Sequence, residues 1–314
     1  MSNINVGVIG AGWIAEKYLD IIFKKKLFNL YAISSRTNSK AIKLKNKYNI
    51  KKFFNNYKQM LNDENINAYL LLVSAENIYK ITIDLIENQK PFLVEKPIFL
   101  KKTNFNLLIK LLKKNKTKNM VAMNRRYYSI FNKGIKILNK KGKILGISIE
   151  GHERFYNIKK NEYHHDVYKS WIYANSCHTI DLFRHFCGEI KSVKSIVSKY
   201  NKRKSNFAST LLFSNGIVGN YVSYWNSPDG WSVKIYGEGI TLVYKPLEQG
   251  YFLNKKMIKT NISKSSEDEL YKDGFYLMLI DFKKLILNKK VSSSFQSIND
   301  HLKTVDLISK INNE

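Results

Sequence analysis

This chain is poor in the residues that staple, break or thread a fold. It has two cysteines, Cys177 and Cys187, too few for a disulfide framework and without the C-x-x-C spacing of a zinc or redox site. Their scarcity points to a reducing, cytoplasmic setting. Only four prolines, Pro91, Pro97, Pro228 and Pro246, interrupt 314 residues, and there is no low-complexity stretch or internal repeat. No apolar run approaches the roughly 18 residues of a membrane helix, so no membrane partner is expected. Strand-like residues begin at Ile4, which leaves no room for a leader ahead of them, and export by a signal peptide is not expected. Acidic residues are the last shortage. Against 53 Lys and Arg stand 25 Asp and Glu, a formal net charge of +28, which raises nucleic acid as a partner. Only six of the basic residues are arginine, and the 47 lysines lie in singles, pairs and one triple along the whole chain. Charge so dispersed decorates solvated faces, and no nucleic-acid partner is expected.

What is present has the length of two domains. From Ile4 to about Met123, short apolar runs at Ile4 to Ile9, Leu30 to Ser34, Ala68 to Val73, Phe92 to Val94 and Met120 to Met123 alternate with helical patterns. That rhythm predicts a parallel, doubly wound sheet covered on both faces, an α/β domain over residues 1–122. Beyond it the pattern turns β-rich, with strands expected near Ile144 to Glu150, Val193 to Lys199, Phe207 to Phe213, Ile217 to Trp225, Ser232 to Tyr236 and Thr241 to Tyr244. Short turns such as Ser214-Asn215-Gly216 and Gly237-Glu238-Gly239 join several of them, which predicts an α+β domain over 123–314 with a large, mostly antiparallel sheet. In FASTLLF both alternate sets contain apolar residues, so both faces of that sheet are expected to be covered, one by helices and one by another subunit.

The segment VGVIGAGWIA ends an apolar strand and opens a helix with Gly10, Gly12 and Ala15 in the order G-x-G-x-x-A. The spacing has a mechanism: Gly10 makes the tight turn, Gly12 admits backbone close to a pyrophosphate, and Ala15 lets helix pack on strand. The helix start, with Trp13 and Ile14, then offers amides to phosphate. At the end of the second strand, YAISSRT places Ser35 where a carboxylate would hold the 2′-hydroxyl of NAD. Ser35, Arg36 and Thr37 suit a 2′-phosphate, so NADP is favoured over NAD.

These glycines, the EKP of Glu95 to Pro97, the NRRY of Asn124 to Tyr127 and the H-x-x-D of His178 and Asp181 occur in an order that resembles the glucose-fructose oxidoreductase and inositol dehydrogenase family, Gfo/Idh/MocA. The resemblance covers essentially the whole chain. It implies an NAD(P)-dependent enzyme that oxidises or reduces a carbinol carbon of a sugar, cyclitol or sugar nucleotide, with a Rossmann domain, a C-terminal α+β domain and a homodimeric or homotetrameric assembly. It implies Lys96 and His178 as the acid-base pair, Glu95 and Ser74 beside the cofactor, and no metal. Two departures stand out. Where the family carries Asp and Gly before the histidine, this chain has Ala174 and Ser176, and the family's TPN-like turn has become Ser74-Ala75-Glu76.

Further candidates come from the residues themselves. His178 and Asp181, three apart on a helix, are placed for one side chain to orient the other. Arg125, Arg154, Trp171, Tyr173, Asn175 and Asp181 offer the aromatic surface and hydrogen-bonding groups that a hydroxylated or anionic substrate needs. Tyr163-His164-His165-Asp166 is read as strand, where adjacent histidines point to opposite sides and do not converge on a metal. The alternative to an enzyme is a cofactor-binding sensor or regulatory homologue without turnover, suggested by Ala174.

Overall fold

The computed structural model describes residues 4–100, 105–159 and 162–314. The chain divides into two compact units, Met1–Asn124 with Leu270–His301, and Arg125–Glu269 with Leu302–Glu314.

In the first unit, strands and helices alternate: β1 (Asn5–Ile9), α1 (Trp13–Lys25), β2 (Asn29–Ser34), α2 (Asn38–Lys47), β3 (Lys52–Phe54), α3 (Tyr57–Leu61), β4 (Ala68–Leu71), α4 (Ala75–Asn88), β5 (Phe92–Val94), α5 (Phe105–Asn115) and β6 (Asn119–Val121). The strands pair in parallel in the order β3-β2-β1-β4-β5-β6. Outside the edge strand β3, whose Phe53 and Phe54 are half-buried, their apolar runs are buried, Val6, Val8, Leu70, Leu71, Leu93 and Val94 among them, as a sheet covered on both faces requires. The order reverses between β1 and β4, and a doubly wound sheet opens a crevice at the carboxyl ends of its strands there. Gly10 makes the turn into α1 at φ +115°, and a Cβ on it would stand 2.2 Å from the Leu72 carbonyl oxygen, so no other residue fits.

The second unit begins with α6 (Ser129–Asn139) and β7 (Ile144–Gly151). Three helices follow, α7 (His165–Lys169), α8 (Trp171–Ala174) and α9 (Cys177–Cys187). Then come β8 (Ile190–Tyr200), β9 (Arg203–Phe213), β10 (Val218–Tyr224), β11 (Trp231–Gly237), β12 (Ile240–Tyr244), β13 (Gly250–Asn254), β14 (Lys259–Ile262) and α10 (Ser266–Leu270). Eight strands form one sheet, β14-β13-β12-β11-β7-β10-β9-β8, antiparallel except where β10 runs parallel to β7. The chain closes with α11 (Phe275–Ile286) and α12 (Ile298–Ile311).

On one face of this sheet Phe207, Leu211, Phe213 and Tyr221 are buried, with Phe183 of α9 against Phe213 and Tyr221. Cover by helices, expected on one face, is found there, and the other face is open in the single chain. The register lines up Ile196, Ala208, Val222 and Glu150 across the other face, and there Ile196 is 76% exposed and Val218 47%. Strand pleating puts alternate residues on opposite sides, and the helices of this chain cover one of them. The segment after Tyr163 is corrected: it is no strand, since His164 caps α7 by accepting the Asp166 amide on Nδ1.

Candidate functional site

Within the first unit a cleft of about 500 Å³ opens at the carboxyl ends of β1, β2 and β4. Gly10 and Gly12 floor it, and a Cβ built on Gly12 meets nothing within 4 Å, so the space beside that backbone is open. Trp13 and Ile14 make the first turn of α1, whose amides face this end of the sheet. Trp13 is exposed, with the ammonium groups of Lys17 and Lys272 at 5.8 and 5.2 Å from its ring. Ser35, Arg36 and Thr37 line the far end, where the Thr37 amide donates to Ser35 Oγ at 3.4 Å. Lys40, in the first turn of α2, joins them there, as does Asn55. Sequence reasoning missed both, although a lysine four residues after Arg36 was a legible signal. A backbone cradle at one end and two cations at the other fit a dinucleotide, with the cations suited to a phosphate on its adenosine ribose.

Ser74 stands at the N-terminus of α4 on the same cleft, and its hydroxyl and Glu76 both accept from the Asn77 amide group at 3.1 Å. Glu95 and Lys96 follow β5. Glu95 is buried and accepts the Tyr18 hydroxyl at 2.6 Å and the Lys96 amide at 3.2 Å, while Lys96 is partly exposed ahead of a cis peptide to Pro97.

The second unit gathers the remaining candidates around α8 and α9. His178 is buried, and its Nε2 lies 2.7 Å from Arg125 Nη1. The Trp231 ring stands beside both, 5.2 Å from the Arg125 guanidinium carbon and 6.1 Å from the imidazole. Nothing in the sequence marks Trp231 for this place. Asp181 is 1% exposed and binds Arg126 at both oxygens, 2.6 and 2.8 Å, with the Thr304 hydroxyl adding a third bond at 2.6 Å.

Asn175 and Ser176 donate to the two oxygens of Glu153 at 2.8 and 2.7 Å. That carboxylate is buried beside the segment where Ala174 supplies none, whereas Arg154 next to it is exposed. Trp171 packs edge-on to Phe155 and Tyr163, and its buried Nε1 has no acceptor among the described residues. The Tyr173 hydroxyl is given to Glu314 at 2.6 Å, and burial, with that carboxylate, pushes its pKa well up. Asn175, Ser176 and His178 are thus brought together at the head of α9, with Arg125 on the imidazole, while Tyr173 is tied to the chain's last residue.

Among the described residues one trio has the spacing of metal ligands, Glu150, His152 and Asp229. A cation of the chain already sits there: Lys245 Nζ lies 3.3 and 3.0 Å from the two carboxylates. His152 Nδ1 is engaged as well, accepting the Tyr224 amide at 3.0 Å. No helix of the described residues is long and apolar enough to cross a membrane.

Comparison with known proteins follows the same division. The model of the Gfo/Idh/MocA oxidoreductase family with an NAD-binding Rossmann fold matches residues 4–123, and that of the Gfo/Idh/MocA C-terminal domain matches residues 139–243. A relative named Oxidoreductase P35, from Formosa agariphila, is 25% identical over 244 residues, 72% of this chain and 73% of that protein. Among solved structures, an oxidoreductase from Thermotoga maritima is 18% identical with a TM-score of 0.82, covering 99% of this chain and 96% of its own. Levoglucosan dehydrogenase in complex with NADH and L-sorbose is 17% identical with a TM-score of 0.80, covering 100% of this chain and 97% of its own.

Proposed function

This chain belongs to the Gfo/Idh/MocA oxidoreductase family with an NAD-binding Rossmann fold, and from that premise we propose that it moves hydride between a nicotinamide cofactor and a carbinol or keto carbon of a sugar, cyclitol or sugar nucleotide. The observation that carries the reading is the cleft on the first unit, open above Gly12 and ringed at its far end by Ser35, Arg36, Thr37 and Lys40. Gly12 and the first turn of α1 hold the pyrophosphate, and Arg36 and Lys40 favour NADP through a 2′-phosphate. A bound nicotinamide supplies the hydride acceptor or donor. Lys96 and His178 are the groups read as taking and returning the hydroxyl proton. Arg125, Trp171 and Asn175 orient the hydroxylated substrate, with the unsatisfied Nε1 of Trp171 as a donor in a buried place. A sugar substrate is favoured by the likeness to levoglucosan dehydrogenase, whose complex contains L-sorbose.

The apolar face left open on the eight-stranded sheet supports a homodimer or homotetramer in which a second copy covers it. The two free, buried cysteines suit a reducing compartment such as the cytoplasm.

The test is turnover of a panel of free sugars, cyclitols and nucleotide sugars with NADP and NAD, read by nicotinamide absorbance. Turnover of at least one, faster with NADP, is the expected result. Cofactor binding without turnover of any would select the second reading, a sensor without catalysis, which Ala174 favours.

A further inference from the structure

We propose that Arg203, at the start of β9, is the anion-binding group of a substrate subsite in the second unit, and that the sugar turned over carries an oxyanion group, a carboxylate or a phosphate. The inference deepens the reading of this unit as the part that takes a sugar, rests on that reading, and adds a residue that no motif of the sequence marks.

In a chain with 47 lysines arginine is the exception, and its planar fork serves where a point charge does not. Arg126 and Arg184 direct that fork at the carboxylates of Asp181 and Glu189. Arg203 has no carboxylate partner among the described residues, and its neighbours in the chain, Lys202 and Lys204, are cations too. Its guanidinium carbon lies 4.3 Å from the ring of Phe155 and 4.0 Å from that of Tyr168, two rings 4.7 Å apart that form an aromatic corner. Such contact is favourable but offers no lone pair to an N–H group lying in the guanidinium plane. Nη1 is buried without an acceptor. Nε and Nη2 have none either among the described residues, and they stay in reach of solvent because the side chain as a whole is half-buried. A cation drawn out of water beside apolar rings is costly unless an anion meets it, and among the described residues none does.

Geometry gives the anion its class. Nε and Nη2 form the side-on edge of a guanidinium, and two parallel N–H bonds from that edge match the paired oxygens of a carboxylate or a phosphate. Arg126 holds Asp181 in this way, through Nε at 2.6 Å and Nη2 at 2.8 Å. Location ties the edge to the candidate substrate groups. Phe155, which Arg203 touches, stands 5.5 Å from Trp171, whose buried indole N–H lacks an acceptor among the described residues. Phe155 also follows closely on Glu153, the carboxylate to which Asn175 and Ser176 donate. One short segment thus leads from the head of α9 to Arg203, with groups for a ring hydroxyl at one end and for an acidic substituent at the other.

The experiment uses the full chain and reads Arg203 directly, through the nitrogen-15 Nε–H spectrum of the arginines, with the Arg203 signal assigned by its loss in Arg203→Lys. Glucose, galactose and mannose are each titrated beside their uronic acids and 6-phosphates, with inorganic phosphate as the ion alone. An acidic sugar should move the Arg203 signal at concentrations where its neutral parent leaves it in place, and movement by the uronic acids or by the 6-phosphates tells carboxylate from phosphate. No movement with any acidic sugar overturns the proposal. So does movement with inorganic phosphate at concentrations no higher than any acidic sugar needs, which would mean an adventitious ion only. In turnover, Arg203→Met should lower the ratio of kcat/KM for the acidic sugar to that for its neutral parent by about 10- to 100-fold, the yield of hydrogen bonds to a charged group, with Arg203→Lys in between. An equal loss for both sugars would give Arg203 a packing role and overturns the proposal as well. If Arg203→Met does not fold, the same ratio is read in Arg203→Lys, and an unaltered ratio there overturns it. Absence of turnover with every sugar sinks the oxidoreductase reading, and the titration still decides this one.

Discussion

Arg125 Nη1 lies 2.7 Å from His178 Nε2, and because a guanidinium only donates, the imidazole accepts there and carries its ring proton on Nδ1. Arg125 is itself steadied over Trp231 at 5.2 Å. The nitrogen with a lone pair is thereby defined before any substrate arrives. Nitrogen-15 spectra of the imidazoles should show His178 as the Nδ1–H tautomer, and Arg125→Met should bring in the Nε2–H form. An Nε2–H signal in the parent protein would refute the pairing.

Replacement of either proton-handling group should be felt in chemistry rather than in cofactor binding. Lys96→Met and His178→Asn should each lower kcat by ~10² to 10⁴, the yield of a positioned acid or base, with cofactor affinity little changed. Full activity in both variants would mean that the proton travels through other groups, and Glu153 is then the first to examine.

Cofactor preference should reside at the end of β2. Arg36→Ala should weaken NADP(H) binding by about 1 to 3 kcal/mol, the scale of a hydrogen bond to a charged group, and leave NAD(H) nearly unaltered. Lys40→Ala should act in the same direction. Equal losses for the two cofactors, measured by titration calorimetry, would remove the 2′-phosphate from this site.

The Arg126–Asp181 pair is a stability determinant. Both side chains are nearly sealed, at 5% and 1% exposure, so Arg126→Met leaves a carboxylate buried without its guanidinium and should cost about 3 to 5 kcal/mol. Replacing both partners by apolar residues of similar volume should recover much of the loss. A single variant as stable as the parent in urea would show that the pair contributes little.

Alkaline conditions should loosen the second unit through Cys187. Burial pushes its thiol up to about 12 from the ordinary 9.0. The folded state thus holds the proton more tightly, so the stabilisation is complete below pH 9.0 and is lost as pH rises toward about 12. Within that window the slope is about 1.4 kcal/mol per pH unit, and Cys187→Ala should flatten it. Rapid reaction of the native thiol with a disulfide reagent at neutral pH would contradict the burial.

Local chemistry was legible where one short segment contains its own reason. The run ending in Gly10 and Gly12 announces a strand, a tight turn and a helix, because only glycine tolerates the φ of Gly10 and its approach to Leu72. The apolar runs of β1, β4 and β5 announce a sheet buried on both sides, and the hairpin turns announce the antiparallel half. Short strands with little apolar pattern, β3 and β14, gave no comparable signal, and neither did His164, whose role as a helix cap depends on one bond to the Asp166 amide.

The amino-acid sequence by itself determined the strand-and-helix rhythm, the phosphate turn and the residue types able to carry proton transfer, since each depends on neighbours within a few positions. Only the tertiary structure decided the partners: Arg126 for Asp181, Arg125 for His178, Glu153 for Asn175 and Ser176, and Tyr18 for Glu95. Tyr18 and Glu95 are 77 positions apart and Arg126 and Asp181 are 55 apart, and nothing local tells a buried carboxylate which donor will reach it. Packing chooses among the donors the fold delivers, because a buried charge left without one is too costly to keep.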